Sequence, residues 1–159
     1  MGVIEFDLTR TVHAGIPEVF ARLADISGYN DWMPDHGSML RRTQLTSPGA
    51  PALGTTYLDE TSFGPTPGEI SAFQPPRTLV YHWWIRSKAG RLRVEGWPAY
   101  RLEASDDHTT LVRHNAKVHT YGMYRLATPI LRRIAKKERA ATLEALAASF
   151  EPGGDRRAG

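Results

Sequence analysis

From Ser38 to His119 the chain is a succession of strand-length segments cut by turn residues, and one long helical stretch then closes it. That order constrains the fold more than any other feature. The segments read "SMLRRTQLT", "GTTYLDETSF", "GEISAFQ", "TLVYHWWIR", "RLRVEGWPAYRLEA" and "TTLVRHNAKVH". The breakers between them are "SPGAPALG", "GPTPG", "QPPR", "KAG" and "SDDH",. A further strand opens the chain. In "VIEFDLTRTV", Ile4, Phe6, Leu8 and Val12 alternate with Glu5, Asp7, Thr9 and Thr11,. Strands do not alternate with long helices, which excludes a parallel α/β sheet. The expectation is an α+β fold in which a curved, seven-stranded antiparallel sheet grips the C-terminal helix. One helix cannot fill the concavity of so broad a sheet, so an internal cavity follows.

Two short helices are expected after the first strand. Ile16, Val19, Phe20, Leu23 and Ala24 recur at helical spacing, and Pro17 sits where its missing N–H costs nothing,. In "DISGYNDWMP", Ser27 is a candidate N-cap for the second helix, which Pro34 ends,. The closing helix is expected from about Gly122 to Phe150. Ile130, Ile134, Ala141 and Ala145 mark its main apolar stripe, and Leu131, Ala135, Leu143, Leu146 and Phe150 broaden it,. Pro129 either kinks it or starts a second segment capped by Thr128. Residues 1–151 read as one domain, and 152–159 as a polar, flexible tail,.

Composition removes several functions. There is no cysteine, so disulfides and thiolate metal sites are excluded, and a reducing, cytoplasmic setting is expected,. A net charge of +3 is too small for a dedicated nucleic-acid binder,. No apolar run is long enough for stable membrane insertion,. The one basic cluster, "RRIAKKER", reads as the solvated face of the last helix; attraction to an anionic membrane or an acidic partner is the alternative,. No phosphate loop, dinucleotide loop, nucleophile elbow or histidine pair at metal-ligand spacing is present, so no metal and no cofactor is expected,.

Specific stretches resemble the START-like, or SRPBCC, superfamily, which includes bacterial polyketide cyclases and lipid-transfer proteins. They are "HAGIPEVFARLADISGYNDWMP", "ALGTTY", "FQPPRTLVYHW" and "YRLATPILRRIAKKERAATLEALAASFE". The resemblance covers about residues 3 to 151. It implies the helix-grip fold and a hydrophobic or aromatic small-molecule ligand. It also implies cyclase or aromatase activity beside a synthase partner, or lipid or metabolite carriage without catalysis. A protein-interaction domain is the third reading, since one such scaffold serves many functions.

Alternation selects the side chains that face the cavity. Tyr81 and Trp83 lie on the more apolar row of their strand, Tyr100 on that of the next, and His114 on that of the last. His114 is the expected general acid or base, with Tyr81 as a hydrogen-bond donor to a carbonyl or enolate. The bland alternative is a buried, bonded His and tyrosines that pack and anchor a hydroxyl. Tyr29, Trp32 and Met33 are expected at the cavity mouth as a plug or gate, and Met123 and Ile130 on the helical wall. Asp59 and Glu60 fall on opposite faces, so one points inward. A monomer or weak homodimer is expected, with outward Trp84 or Trp97 offering an apolar patch.

Overall fold

The computed structural model describes residues 1–34 and 38–152. Seven antiparallel strands form one open sheet in the order β1-β7-β6-β5-β4-β3-β2. The strands are β1 (Gly2–Val12), β2 (Leu40–Leu45), β3 (Thr56–Thr61), β4 (Gly64–Gln74), β5 (Thr78–Arg86), β6 (Leu92–Asp106) and β7 (Thr109–Thr120). Helices α1 (Ile16–Ala24) and α2 (Tyr29–Trp32) follow β1. A short 3-10 turn at Gly122–Ala127 leads into α3 (Thr128–Ala148), which packs on the inner face of the sheet. This is the expected helix-grip architecture. Residues 153–159 of the expected tail lie outside the described residues.

Each strand was legible through its alternation, with one exception. "GPTPG" is not a breaker but the first part of β4, paired with β3 as Pro65↔Glu60 and Pro67↔Leu58. Pairing with β5 starts only at Gly68↔Trp83. The prolines therefore stand where β4 has a strand neighbour on one side, a place that tolerates a missing N–H.

Local chemistry corrects the helix ends. Ser27 does not cap α2. The Asp25 carboxylate instead accepts a hydrogen bond from the Gly28 N–H at 3.1 Å, and Gly28 is the residue that precedes the helix. Pro129 starts α3 rather than kinking it, as one alternative held, but Thr128 is already helical. Its hydroxyl donates to the Arg125 carbonyl at 2.7 Å instead of capping. The stripe of α3 is also rotated from the expected one. Thr142, Leu143, Leu146 and Ala147 are buried, whereas Ile130 is 66% exposed.

The core falls into two clusters. One gathers α1, the C-terminal half of α3 and the strands beneath, including Phe20, Leu23, Leu79, Leu102 and Leu146. The other holds Ile4, Phe6, Val94, Ala116 and Val118, with Trp83, Leu131 and Ala135 packed against it. Across the inner face, large and small residues alternate between neighbouring strands: Tyr57 pairs with Gly68, Gly68 with Trp83, and Trp83 with Gly96. Each glycine leaves the room that a ring lies in. A Cβ at Gly96 would come within 2.5–2.9 Å of the Trp83 indole. Gly96 thus marks a close approach and not a bulge, and the alternation of β6 continues unbroken through Pro98,.

Gly96→Ala should therefore push the Trp83 ring toward the interior, at a cost of about 1–3 kcal/mol. Urea unfolding should show a lower midpoint and the folded protein an altered tryptophan emission. Unchanged midpoint and emission would show that the ring does not depend on this glycine.

Candidate functional site

Between the two clusters lies a cavity of about 280 Å³. Its wall is mainly apolar and aromatic: Leu23, Ile26, Trp83, Ile85, Val94 and Val118 from below, Leu131, Ile134 and Ala135 from α3. Polar groups converge on it from separate elements. Tyr29 comes from α2, Thr43 from β2, Tyr57 and Asp59 from β3, Tyr81 from β5, Tyr100 from β6, and Glu138 and Arg139 from α3. Asp59 shares the inward row of β3 with Tyr57 and Thr61, while Glu60 faces solvent.

Arg139 was missed by the sequence reading, which put the charged residues of "RRIAKKER" on a solvated face. Arg132, Arg133, Lys136 and Lys137 are exposed as expected, but Glu138 and Arg139 turn inward. The Glu138 carboxylate accepts hydrogen bonds from the Ser38 hydroxyl at 2.5 Å and the Met39 N–H at 2.9 Å, fastening α3 to the approach to β2. Arg139 makes no ion pair among the described residues. Its guanidinium interacts with the Tyr100 hydroxyl and, at longer range, with Tyr29, Glu138 and Asp59. Burial works against its charge, and those groups more than offset that, raising its pKa. A guanidinium does not deprotonate in a protein, so the cavity carries a fixed positive charge.

Burial pushes the Asp59 carboxyl up from 3.8 to about 6, against the Thr43 hydroxyl and the Arg139 charge, which both pull it down. The phenols of Tyr29, Tyr57, Tyr81 and Tyr100 are all shifted upward, first by burial, and stay neutral. Asp59 and Arg139 thus bring a carboxyl that titrates at about 6 and a permanent cation together with neutral hydroxyls in apolar surroundings.

Of the expected site residues, Tyr29, Tyr81, Trp83 and Tyr100 reach this wall. The Tyr81 hydroxyl is already committed, donating to the Leu23 carbonyl at 2.6 Å, so it anchors α1 to the sheet. Tyr29 donates to Thr142 at 3.4 Å. His114 is on the inward row but not on the wall. Its ring stacks on Tyr100 at 4.3 Å, and its Nδ1 lies 2.8 Å from the Ala99 carbonyl. A neutral ring that donates there leaves Nε2 as a bare acceptor, buried without a partner among the described residues,. Burial first, then the Arg139 charge, drives the His114 pKa down from 6.5 to about 3.

Trp32 and Met33 do not reach the cavity. Trp32 packs against the larger core cluster, edge-on to Tyr29 at 4.3 Å, and Met33 is buried. Among the large apolar wall residues, Phe63 is 55% exposed and Tyr124 37% exposed. From "DISGYNDWMP", Ile26 and Tyr29 line the cavity, while Trp32 and Met33 pack in the core. Met123 and Ile130 point away from the wall, exposed by 77% and 66%. On the outer face, Trp84 and Trp97 pack with His82, whose ring stacks on Trp97 at 4.7 Å. Glu95 is tucked into this group between His82 at 2.8 Å and the Tyr121 hydroxyl at 2.6 Å.

Over residues 3–151 the chain matches the family described as polyketide cyclase / dehydrase and lipid transport. No curated protein matches it in sequence. Solved structures share its fold at low identity. The Zhui aromatase/cyclase from Streptomyces sp. R1128 superposes with a TM-score of 0.74 at 16% identity, over 99% of this chain and 96% of that one. A START superfamily protein from Mycobacterium smegmatis gives 0.69 at 10%, over 92% and 96%. The di-domain ARO/CYC StfQ of the steffimycin biosynthetic pathway gives 0.71 at 13%, over 93% of this chain and 50% of that one.

The Asp59 shift has a definite sign. Its folded pKa lies above its ordinary value, so the folded chain holds the proton longer than the unfolded chain does. The Asp59 contribution to stability then falls as pH rises between about 4 and 6, and is level above,. The His114 contribution runs the other way, complete above 6.5 and lost as pH falls toward 3,. Asp59→Asn isolates the first effect. At about pH 7.5 it should raise Tm by roughly 4–12 °C, corresponding to about 2–3 kcal/mol, with most of the gain gone near pH 4. Calorimetry of both proteins across that range checks it; a gain independent of pH would refute the assignment.

Proposed function

This chain belongs to the polyketide cyclase / dehydrase and lipid transport family, and from that premise we propose that it binds a hydrophobic or aromatic small molecule in the cavity and catalyses cyclisation of an enolisable ligand there. The observation that carries this reading is the meeting of Asp59 and Arg139 on one apolar wall. Cyclisation of a polyketone needs a base for a proton next to a carbonyl and a donor for the oxygen that becomes negative. Asp59, with its pKa near neutrality, is matched to the first task,. Arg139 and the Tyr100 hydroxyl are matched to the second,.

In this scheme the Asp59 carboxylate takes the α-proton, and the C–H electrons pass onto the carbonyl oxygen as an enolate held by Arg139. The α-carbon then attacks a second carbonyl of the same ligand. Its oxygen takes the proton back from Asp59, and loss of water leaves the unsaturated ring. The local charge facing Arg139 stays at one negative charge throughout, moving from carboxylate to enolate. That is what makes a fixed cation useful on a largely apolar wall,. Asp59 takes the role first expected of His114, which supports the Tyr100 ring from behind. Tyr81 positions the wall through Leu23.

Turnover of a poly-β-ketone thioester, followed by the absorbance of the aromatic product, tests the scheme. Asp59→Asn should lower kcat by about 10²–10⁴-fold with little change in KM. His114→Ala should change kcat far less than Asp59→Asn does. Full activity in Asp59→Asn removes the proposed base; binding without any turnover by the wild type leaves carriage as the function.

A further inference from the structure

We propose that the cavity selects an acidic ligand, a hydrophobic or aromatic molecule whose two-oxygen anion seats on the Arg139 guanidinium beside Tyr100 and within reach of Asp59. The anion is a carboxylate or an ionised β-dicarbonyl. This rests on the reading of the cavity as a ligand site and adds the chemical class of what enters it.

Among the described residues, four charged ones contribute to the wall: Asp59, Lys117, Glu138 and Arg139. Lys117 belongs to the outer row of β7, between the inward Ala116 and Val118. Glu138 is engaged by Ser38 and Met39. That leaves Asp59 and Arg139, which do not form an ion pair among the described residues although both reach the same space. A buried cation is ordinarily paired, because leaving water costs several kcal/mol. The guanidinium offers five N–H donors in a planar fork, and two parallel oxygens satisfy that fork best. The neighbouring phenols are neutral and cannot supply the countercharge. An incoming anion can.

Anion binding also has a proton consequence. Asp59 is faced by Thr43 from β2, Tyr57 on its own strand, Tyr29 from α2, Tyr81 from β5, Tyr100 from β6 and Arg139 with Glu138 from α3. His114 of β7 lies behind Tyr100. A ligand anion beside one arginine makes a second negative charge at Asp59 unfavourable. Binding should therefore draw a proton onto Asp59, so that the anion supplies the countercharge to Arg139 as the carboxylate loses its own. The bound complex then carries the same charge arrangement as the enolate in the scheme above.

Isothermal titration of the full chain with naphthoate, naphthylmethanol and naphthoyltrifluoroacetone tests this, in two buffers of different ionisation enthalpy near pH 7. The wild type should bind naphthoate at least about tenfold more tightly than naphthylmethanol and take up about one proton per naphthoate. Arg139→Met should lose the preference and keep the alcohol. Arg139→Lys, which retains charge without the fork, should keep part of it and serves if the Met variant does not fold. Asp59→Asn should keep the preference and take up no proton. Tighter binding of the diketone than of naphthoate would point to a cyclase-type ligand; the reverse would point to a carboxylic acid. Equal affinity for acid and alcohol in the wild type, or a preference that survives Arg139→Met, overturns the inference alone. Binding of none of the three probes overturns the ligand-site reading with it.

Discussion

The structure depends on one unequal partnership, a single 21-residue helix laid against the inner face of a seven-stranded sheet. At 1.5 Å per residue such a helix is about 30 Å long and only about 10 Å across, too narrow to cover a sheet of this width. The remaining surface is handled in two ways. At one end α1 and the last turns of α3 close on the strands in a packed core. Elsewhere the rings of Tyr57 and Trp83 lie over glycines, and the space left above them is the cavity. The hollow is a result of the architecture before it is a binding site, which is why one fold serves cyclases and carriers alike.

Chemistry enters through the few polar groups the hollow admits. Asp59 and Arg139 on a largely apolar wall behave differently from the same pair in water. Their charges are screened less than at an open surface, so each influences the other and whatever comes between them,. Burial shifts Asp59 toward neutrality, and Arg139 keeps that shift from going further. The same arginine helps hold His114 neutral from a second layer. The tyrosines surround this pair, and two of them already spend their hydroxyls on Leu23 and Thr142. The free capacity for recognition is concentrated at Arg139.

Much of the fold could be read in the sequence because period-two alternation is a strong signal wherever one sheet face is buried. The inward rows Leu79–Tyr81–Trp83 and Val112–His114–Ala116 were legible on that ground. What could not be read depended on neighbours. "GPTPG" carries every sign of a turn, and only its pairing with β3 makes it a strand. Asp59 was legible as one of two alternatives, and pairing with Thr43 decides between them. Arg139 was hidden by its surroundings in sequence, a run of basic residues that mostly does face water. Its one signal was the i, i+4 row Leu131, Ala135, Arg139, Leu143 and Ala147, in which it is the lone charge,. The contributions of Phe63 and Tyr124 to the wall could not be inferred, because they come from turns whose approach is a tertiary event.

The central claim is that this interior is a ligand site and not an accident of packing. Native mass spectrometry of the purified chain tests it most directly, before and after incubation with naphthoate, beside an Ala135→Trp variant that fills the α3 wall. The account predicts one small molecule bound per chain in the wild type, released on denaturation and absent from the variant. Bare wild-type chain under both conditions, or equal adducts on the filled variant, would contradict it.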